Sequence, residues 1–248
     1  MSRRILVTGG GKGVGAAIVR SMVDNGFDVD FTYRSSGAQA LELARELSQT
    51  SGRDVRALEI DLSDRAALDS FCEKLQDEAY FGVIHNAGQP YDALAAMMAQ
   101  DKAEAAMQVN FWSLTQIAKA ALRSMLRARE GRIAVIGSVA ALQGNPGNAA
   151  YAASKGALLS YCRTLAVESA KRGVTVNYIA PGFIDTDMMT PYAAYRESME
   201  KQIPAGRFAK PEEIAGVCAF LMSEPAAYIT GAVLPVDGGL TAMIGVHR

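Results

Sequence analysis

The stretch that decides the fold lies near the start of the chain, where Arg4–Gly15 reads RILVTGGGKGVG. Its apolar part, Ile5–Thr8, is typical of a buried strand, and a helical pattern follows over Val14–Asn25. The glycines between them allow a tight turn and a close approach of the backbone to a pyrophosphate, and the start of the helix offers free N–H groups. A strand, a glycine loop and a helix in this order therefore predict a phosphate-binding loop.

The spacing of the glycines fits two registers. One is the general dinucleotide fingerprint, Gly11-x-Gly13-x-x-Ala16. The other is longer, Thr8-Gly9-x-x-x-Gly13-x-Gly15. The alternative to both is a flexible turn that binds nothing, but the flanking strand and helix are the context that the motif requires.

Beyond this loop, short apolar runs alternate with longer helical patterns. The predicted strands are Ile5–Thr8, Val29–Tyr33, Val55–Ile60, Gly82–His85, Arg132–Ser138, Val174–Ile179 and Ala232–Pro235. The predicted helices are Val14–Asn25, Ala38–Thr50, Ala66–Glu78, Lys102–Arg127, Tyr151–Arg172, Ala193–Gln202 and Glu212–Met222. This alternation predicts an α/β fold in which helices cover both faces of a parallel sheet, with ligands bound beyond the carboxyl ends of the strands. No linker or charge block divides the sequence, so we expect one domain over residues 1–248.

The bulk composition argues against several classes of function. The chain is 50% hydrophobic and 21% charged with a net charge of −1, which gives no footprint for nucleic acid or a membrane surface. No apolar run has the length of a membrane helix, and the first strand is too short for a signal peptide. Cys72, Cys162 and Cys218 lack metal-ligand spacing, so we expect reduced core thiols in a cytoplasmic protein and no metal site.

The residue that follows the second predicted strand indicates the type of nucleotide. An acidic residue about 20 positions beyond the glycine loop would bind the ribose 2′-hydroxyl of NAD. Here the strand ends in Arg34-Ser35-Ser36, and a planar cation suits the 2′-phosphate of NADP. Lys12 in the loop is a second possible counter-charge, while Asp30 lies within the strand, too early to reach the ribose. We therefore predict a preference for NADPH.

Tyr151 and Lys155 are the candidate acid/base pair. Their spacing puts both side chains on one face of the helix predicted to start at Tyr151. A phenol has an ordinary pKa of about 10, and an ammonium held beside it lowers that pKa. The pair would then transfer a proton to or from a carbonyl or hydroxyl oxygen. The alternative is two solvated helix residues, since this spacing is common.

Taken with the other motifs, the chain resembles the classical short-chain dehydrogenase/reductase family over nearly its whole length. The matches fall in the expected order: Thr8–Gly15, Asp61, Asn86-Ala87-Gly88, Asn110, Ser138, Tyr151 with Lys155, Pro181-Gly182, Thr186 and Asp237-Gly238-Gly239. Each motif is weak alone, and together they are specific. The resemblance implies a single Rossmann-type, doubly wound domain that binds NADP.

The resemblance also implies a role for each matched residue. Tyr151 would protonate the substrate carbonyl oxygen, Ser138 would orient it, and Lys155 would bind the nicotinamide ribose. Asn110 would hold a water that returns protons through Lys155. The remaining cofactor contacts would come from Thr8, Gly9, Gly11, Lys12, Gly13, Val14 and Gly15, from Arg34 and Ser35, from Asp61 and Leu62, from Asn86, Ala87 and Gly88, and from Pro181, Gly182, Ile184 and Thr186. Ser138 as a strand-end cap and Asn110 as a structural side chain are the alternatives.

Within the family, several stretches are similar to 3-oxoacyl-[acyl-carrier-protein] reductases. They are Gly131–Ile133, Ile136–Ser138, Val174–Asn177, Ala180–Met188, Ile203–Arg207 and Ala227–Gly231. The likeness implies NADPH-dependent reduction of a 3-oxoacyl thioester on acyl carrier protein, in fatty-acid or polyketide/aryl polyene biosynthesis. Arg129 and Arg172 stand where such reductases dock the acidic carrier, although two solvated arginines are an equal alternative.

Some features depart from that pattern or remain open. His85 stands where a second Asn is usual, and Gly10-Gly11-Lys12 replaces the usual Ala-Ser-Arg. The segment 187–207 is expected to form a substrate lid whose Met and Tyr side chains would suit a hydrophobic or aryl-capped acyl chain. We also expect a homotetramer, packed through alanines of the two long helices: Ala118, Ala120, Ala121, Ala152, Ala153 and Ala157.

Two other functions stay open at this stage. The chain could act on a free alcohol, sugar or steroid carbonyl instead of a carrier-bound thioester. It could also be a nucleotide-binding module without turnover, which the presence of Ser138, Tyr151 and Lys155 argues against.

Overall fold

The structure is a computed structural model that describes residues 3–243, and its centre is a parallel sheet of seven strands. The strands are β1 Arg4–Thr8, β2 Asp28–Tyr33, β3 Val55–Glu59, β4 Tyr80–His85, β5 Gly131–Ile136, β6 Val174–Pro181 and β7 Val233–Val236. Their order across the sheet is β3-β2-β1-β4-β5-β6-β7, and every neighbouring pair is parallel. The seven predicted strands are confirmed, with small shifts of their ends.

Eight α-helices surround this sheet in the part of the chain that the structure describes. They are α1 Gly13–Asp24, α2 Gly37–Ser51, α3 Arg65–Leu75, α4 Gln100–Met107, α5 Ser113–Ala128, α6 Ala149–Ser169, α7 Arg196–Glu200 and α8 Pro211–Met222. Two predictions need correction. The helix predicted over Lys102–Arg127 is divided by a π-helical turn, Gln108–Trp112, and the one predicted over Ala193–Gln202 is a 3₁₀ segment, Asp187–Tyr195, followed by the short α7.

Helices cover both faces of the sheet, as the alternation of patterns predicts. On one face α1, α2 and α8 pack around a core that includes Ile18, Phe31 and Ile214. On the other face α3, α5 and α6 enclose a second core that includes Leu114 and Leu158. Both faces of every central strand are therefore buried, which explains why these strands read as continuous apolar runs.

The chain changes direction across the sheet between β1 and β4, which lie side by side although they are far apart in sequence. Connections from β1 lead towards β2 on one side, and those from β4 lead towards β5 on the other. Their carboxyl ends, at the paired residues Thr8 and His85, therefore open a crevice between diverging loops. This crevice is where a doubly wound sheet binds its ligand.

The three cysteines lie in the interior, as predicted. Cys72, Cys162 and Cys218 are buried and free, and burial raises the pKa of each thiol above its ordinary value. Neutral thiols in apolar surroundings react slowly, so these residues act as small core side chains. Among the helices of residues 3–243, none combines the length and apolarity that crossing a bilayer requires.

Candidate active site

The glycine loop after β1 has the shape of a phosphate cradle. Gly9 and Gly13 have positive φ angles of 67° and 53°, which favour glycine. A Cβ on Gly9 would lie 3.0 Å from the Cα atom of Ala87, and one on Gly15 would collide with the carbonyl oxygen of Gly9. Helix α1 begins at Gly13 without a side-chain cap. The backbone is thus exposed at a helix N-terminus, where a pyrophosphate fits.

The loop after β4 is tied to this cradle by hydrogen bonds. The Oγ1 atom of Thr8 accepts from the backbone N–H groups of Asn86, at 3.1 Å, and Ala87, at 3.0 Å. The Nδ2 atom of Asn86 donates to the carbonyl oxygen of Gly9 at 2.9 Å. Two loops from neighbouring strands therefore form one wall of the crevice.

Charged side chains surround the place where the adenosine end of a nucleotide would lie. Arg34 and Ser35 are exposed directly after β2, and Lys12 is exposed in the glycine loop. Asp61, after β3, accepts hydrogen bonds from the side chain and backbone of Ser63, and these bonds and the nearby Arg34 lower the pKa of its carboxyl. Leu62, beside Asp61, is buried in the core. Arg34 and Lys12 make no ion pair with other residues in 3–243, so both cations remain available to an anion.

Ser138 is fixed by the residues around it. Its Oγ atom accepts from the N–H of Ala140 at 3.1 Å, and its own N–H donates to the hydroxyl of Tyr178 at 3.0 Å. The ring of Tyr178 occupies the space that a side chain on Gly137 would fill. Sequence reasoning missed Tyr178, and the signal was Gly137, a glycine at the end of a buried strand with no turn to make.

Tyr151 lies half-buried in the first turn of α6. Burial raises the pKa of its phenol, hydrogen bonding with the Ser138 side chain lowers it in part, and the carboxylate of Asp92 raises it further. The ammonium of Lys155 lies 5.7 Å from the centre of the phenol ring. The expected lowering of the Tyr151 pKa by Lys155 is therefore not found, because removal from water dominates.

Lys155 is nearly inaccessible, with 3% of its surface exposed. Burial lowers the pKa of its ammonium to about 8. Its Nζ atom donates one hydrogen bond to a described residue, to the carbonyl oxygen of Ile136 at 2.9 Å. A Cβ on Gly88 would lie 3.3 Å from this Nζ atom, so Gly88 leaves the ammonium open on that side. Two N–H donors remain for the hydroxyls of a ribose.

Asn110 is wholly buried in the π-helical turn Gln108–Trp112. Its Oδ1 atom accepts from the N–H of Gln89 at 2.7 Å, and its Nδ2 atom donates to the carbonyl oxygen of Gln89 at 3.1 Å and to the Oγ atom of Ser154 at 2.8 Å. Ser154 in turn donates to the carbonyl oxygen of Tyr151 at 2.7 Å. The amide of Asn110 thus clamps the loop after β4 to α6.

The chain that leaves β6 closes the far side of the crevice. Pro181 ends β6, and the N–H of Gly182 donates to the carbonyl oxygen of Val236 at 3.1 Å. Ile184 pairs with Ala209 in an isolated bridge. Thr186 approaches the glycine loop, because a Cβ on Gly13 would lie 3.6 Å from its methyl group. The structure therefore brings the predicted contacts from β1, β4 and β6 together around one crevice.

Asp92 connects three segments at the mouth of this crevice. Its Oδ1 atom accepts from the Nδ2 atom of Asn148 at 2.6 Å, and its Oδ2 atom accepts from the hydroxyl of Tyr192. The neighbouring Ala93 donates its N–H to the carbonyl oxygen of Gly147 at 2.7 Å. The 3₁₀ segment Asp187–Tyr195 is thus held beside the start of α6, close to Tyr151. Sequence reasoning missed this contact.

Arg129 and Arg172 lie together but far from Tyr151. Arg129 donates to the carbonyl oxygen of Lys171 at 3.0 Å and has a positive φ of 56° at the end of α5. Arg172 is exposed before β6. Both stand at the amino ends of β5 and β6, whereas Ser138 follows the carboxyl end of β5. At about 3.3 Å per strand residue, roughly 20 Å separates the two edges.

One structural expectation about the alanines is wrong. Ala118, Ala120 and Ala121 are buried inside the subunit against the sheet, so they are not available to a partner. Ala153 is exposed, and Ala152 and Ala157 are half-buried. The exposed apolar side chains here are instead Trp112, in the π-helical turn before α5, and Val167, in α6, which are 49% and 80% exposed.

A glycine cradle on a doubly wound sheet, with Ser138, Tyr151 and Lys155 at its edge, defines a nucleotide-dependent oxidoreductase of the Rossmann type. The family model described as enoyl-(acyl carrier protein) reductase matches residues 9–241. The chain belongs to the short-chain dehydrogenase/reductase family, as its motifs predict.

Two relatives and one solved structure show how similar the chain is to known proteins of the family. The chain is 40% identical over 241 residues to the 3-oxoacyl-[acyl-carrier-protein] reductase FabG of Escherichia coli, covering 95% of this chain and 96% of that protein. It is 37% identical over 243 residues to the corresponding reductase MabA of Mycobacterium bovis, covering 97% and 93%. A short-chain dehydrogenase/reductase structure from Serratia marcescens is 34% identical with a TM-score of 0.90 and covers 96% of this chain and 98% of that one.

Proposed function

We propose that this chain reduces the ketone of a 3-oxoacyl thioester, carried on acyl carrier protein, to the 3-hydroxyacyl thioester with NADPH. The observation that carries the proposal is the grouping of Ser138, Tyr151 and Lys155 beside a glycine cradle, in a chain 40% identical over nearly its full length to such a reductase. The identity favours this reaction over that of a free alcohol, sugar or steroid. The buried free thiols suit a reducing compartment, and we place the protein in the cytoplasm.

The contacts of the site assign a task to each group. NADPH, when bound, supplies the hydride for the ketone carbon. Tyr151 keeps its proton at neutral pH, because its pKa is raised, and donates it to the carbonyl oxygen. The Oγ atom of Ser138 accepts from Ala140, and its O–H, which is within reach of the Tyr151 phenol, would donate to the same carbonyl oxygen. Lys155 holds the nicotinamide ribose through its two remaining N–H groups.

The same reasoning places the rest of the nucleotide. The backbone of the loop over Thr8–Gly15 would hold the pyrophosphate, and Thr186 would lie near the carboxamide end. Arg34, with Lys12 and Ser35, would bind the 2′-phosphate. Asp61 and Leu62 would border the adenine, while Asn86, Ala87 and Gly88 would border the ribose. Pro181, Gly182 and Ile184 complete the wall that follows β6.

The lid is a proposal of its own. We infer that residues 187–207 cover the acyl group and that Asp92 holds this segment closed through Tyr192. Met188 and Tyr195 are 56% and 64% exposed in the same segment, which gives the entrance an apolar rim. An apolar rim suits an acyl or aryl-capped chain, and the preferred chain separates fatty-acid from polyketide or aryl polyene synthesis.

Carrier docking at Arg129 and Arg172 carries a geometric condition. Because both arginines lie at the amino edge of the sheet, a carrier bound there cannot face the Tyr151 of the same subunit directly. The proposal therefore requires a homo-oligomer, which we infer to be a tetramer, in which one subunit docks the carrier beside a neighbour's crevice. The exposed Trp112 and Val167 give the long helices an apolar contact surface for it. Light scattering measures the assembly directly.

The decisive experiment is the initial rate of NADPH oxidation with purified protein. A 3-oxoacyl thioester and a 2-enoyl thioester are each offered on carrier protein and on a truncated pantetheine, with NADH as the control. We expect NADPH-specific turnover of the 3-oxoacyl form that is faster on the carrier. Turnover of the enoyl thioester alone would replace the ketone assignment, and loss of every thioester activity with tight NADPH binding would move the substrate to a free carbonyl.

A charge-reversal variant tests the docking part separately. Arg129→Glu with Arg172→Glu should weaken turnover of the carrier-bound substrate, most strongly at low salt, and leave the pantetheine substrate unchanged. Equal rates for wild type and variant on the carrier-bound substrate would reject docking at these residues without affecting the reaction itself.

A further inference from the structure

The structure assigns a positioning role to His85: its neutral ring joins the phosphate-loop wall at Thr8 to the backbone of Asn110, and so couples nucleotide binding to the placement of Tyr151 and Lys155. The ring is completely buried at the carboxyl end of β4. Its Nδ1 atom lies 3.0 Å from Thr8 Oγ1, and its Nε2 atom lies 3.1 Å from the carbonyl oxygen of Asn110.

The hydrogen-bond partners fix the tautomer from both ends. Thr8 Oγ1 already accepts from two backbone N–H groups, those of Asn86 and Ala87, so it uses its proton to donate to Nδ1 of His85. A carbonyl oxygen only accepts, so Nε2 carries the ring proton and donates it to Asn110. Both ends demand the same form, which is protonated at Nε2 and free at Nδ1.

The ring stays neutral because a charge there has no stabilising partner. Burial and the positive charge of Lys155 lower the pKa of His85 to about 3, against the smaller opposite effect of the bond to Asn110. Protonation at Nδ1 would also place two donors, the ring N–H and the Thr8 hydroxyl, against each other. His85 therefore holds fixed positions and does not shuttle protons near neutral pH.

Each bond of the ring leads to a different part of the site. The bond to Thr8 orients the hydroxyl that holds the loop of Asn86, whose side chain binds the phosphate loop at Gly9. The bond to Asn110 holds the π-helical turn in place. The side-chain amide of Asn110 in turn binds Gln89 and reaches the start of α6 through Ser154. The first should affect nucleotide binding and the second the chemical step. The bond from Nε2 also occupies the backbone carbonyl of Asn110, the residue expected to hold a water. In this chain that carbonyl therefore contacts a protein group, the His85 ring.

Two substitutions separate the two bonds. In His85→Gln the amide nitrogen of the introduced side chain lies about where Nε2 lies, so this variant keeps the donor to Asn110. In His85→Asn the amide oxygen lies about where Nδ1 lies, so this variant keeps the acceptor for Thr8. His85→Phe removes both bonds while an aromatic ring remains.

The expected result is a split between KM and kcat, and it rests on the proposed function. His85→Gln should raise KM for NADPH about tenfold with kcat within about threefold of wild type, and His85→Asn should lower kcat about tenfold with little change in KM for NADPH. His85→Phe should show both losses. Parallel changes in both variants, or no change in either, would overturn the coupling.

A measurement independent of turnover keeps the test decisive. The chain has two histidines, so ¹⁵N NMR resolves the rings, and the signal absent from His85→Gln belongs to His85. We expect one tautomer, protonated at Nε2, unchanged between pH 8 and pH 5, and a signal that titrates or shows Nδ1–H would refute the role. If the wild type reduces no thioester, the proposed function fails alone, and this inference is then decided by the NMR signal and the Kd for NADPH of the two variants.

Discussion

At the scale of single residues, Tyr151 is the side chain on which turnover depends. Removing its hydroxyl in Tyr151→Phe should lower kcat by about 10²- to 10⁴-fold, because the phenol is the general acid assigned to protonate the carbonyl oxygen. Nucleotide affinity should stay near the wild-type value. Tyr161→Phe, on the same helix, is the matched control and should keep full activity. Retained turnover in Tyr151→Phe would exclude the phenol as the donor.

Lys155 sets an upper limit of pH for cofactor capture. Burial lowers the pKa of its ammonium to about 8, so the side chain is charged below that pH and neutral above it. Since kcat/KM reports the free enzyme, kcat/KM for NADPH should fall as pH rises through about 8. Stopped-flow or initial-rate profiles between pH 6 and 10 measure this. A profile that stays flat to pH 10 would show that the charge of Lys155 is not required.

Arg34 should decide between the two nicotinamide cofactors. It is exposed after β2 and makes no ion pair with another residue in 3–243, so its guanidinium is available to a 2′-phosphate. Arg34→Ala should raise the Kd for NADPH about ten- to hundredfold and leave the Kd for NADH nearly unchanged. Arg45→Ala, which removes an arginine paired with Glu42 on the neighbouring helix, is the control. Equal losses for both cofactors would contradict the assignment.

At the scale of elements, the 3₁₀ segment Asp187–Tyr195 should behave as a lid held by one hydrogen bond. Tyr192→Phe removes the hydroxyl that donates to Asp92 and keeps the ring. We expect KM for the acyl thioester to rise about two- to tenfold with the affinity for NADPH unchanged. Tyr195→Phe in the same segment should change neither. An unaltered KM in Tyr192→Phe would show that this contact does not close the entrance.

The order of the elements was predictable because the strands of a buried parallel sheet are continuous apolar runs in the sequence. The π-helical turn Gln108–Trp112 was not, since its residues continue the helical periodicity on both sides. Its cause is tertiary, in that Asn110 is drawn towards Gln89, Ser154 and His85. The helix predicted over Ala193–Gln202 is α-helical only over Arg196–Glu200, because its first three residues belong to the 3₁₀ segment Asp187–Tyr195, which contains Pro191.

In the candidate site, too, the sequence predicted where the catalytic residues lie but not which groups they contact. The sequence places Ser138, Tyr151 and Lys155 after strands that share an edge, and the structure brings them together there. It does not reveal which groups remove Tyr151 from water, so the sign of its pKa shift was predicted wrongly. Tyr178 acts through bonds to backbone atoms, and His85 acts through one backbone carbonyl and the Thr8 hydroxyl; the sequence does not show which of these atoms lie within reach.

At the scale of the whole molecule, the two edges of the sheet use charge in opposite ways. At the amino edge, buried Asp30 forms ion pairs with Arg4 and Arg56, with nitrogen–oxygen distances of 2.6 Å each, so its charge is paired within the protein. At the carboxyl edge, Lys155 is buried without a carboxylate within ion-pair distance among the described residues. The charges at the first edge are paired with one another, whereas the unpaired ammonium at the second edge remains able to bind a ligand.

The buried histidine should make the whole molecule lose stability in acid. His85 has a pKa of about 3 in the folded protein against about 6.5 in an unfolded chain, so below pH 6.5 the unfolded state binds a proton that the folded state does not. The free energy of unfolding should therefore be unaffected by His85 above pH 7 and fall by about 1.4 kcal/mol for each pH unit towards pH 4. Carboxylates also make the free energy of unfolding depend on pH. The His85→Gln variant keeps that dependence but lacks the ionisable ring. Urea unfolding of both proteins from pH 7 to pH 4 gives the difference, and equal slopes would show that His85 is protonated in the folded protein.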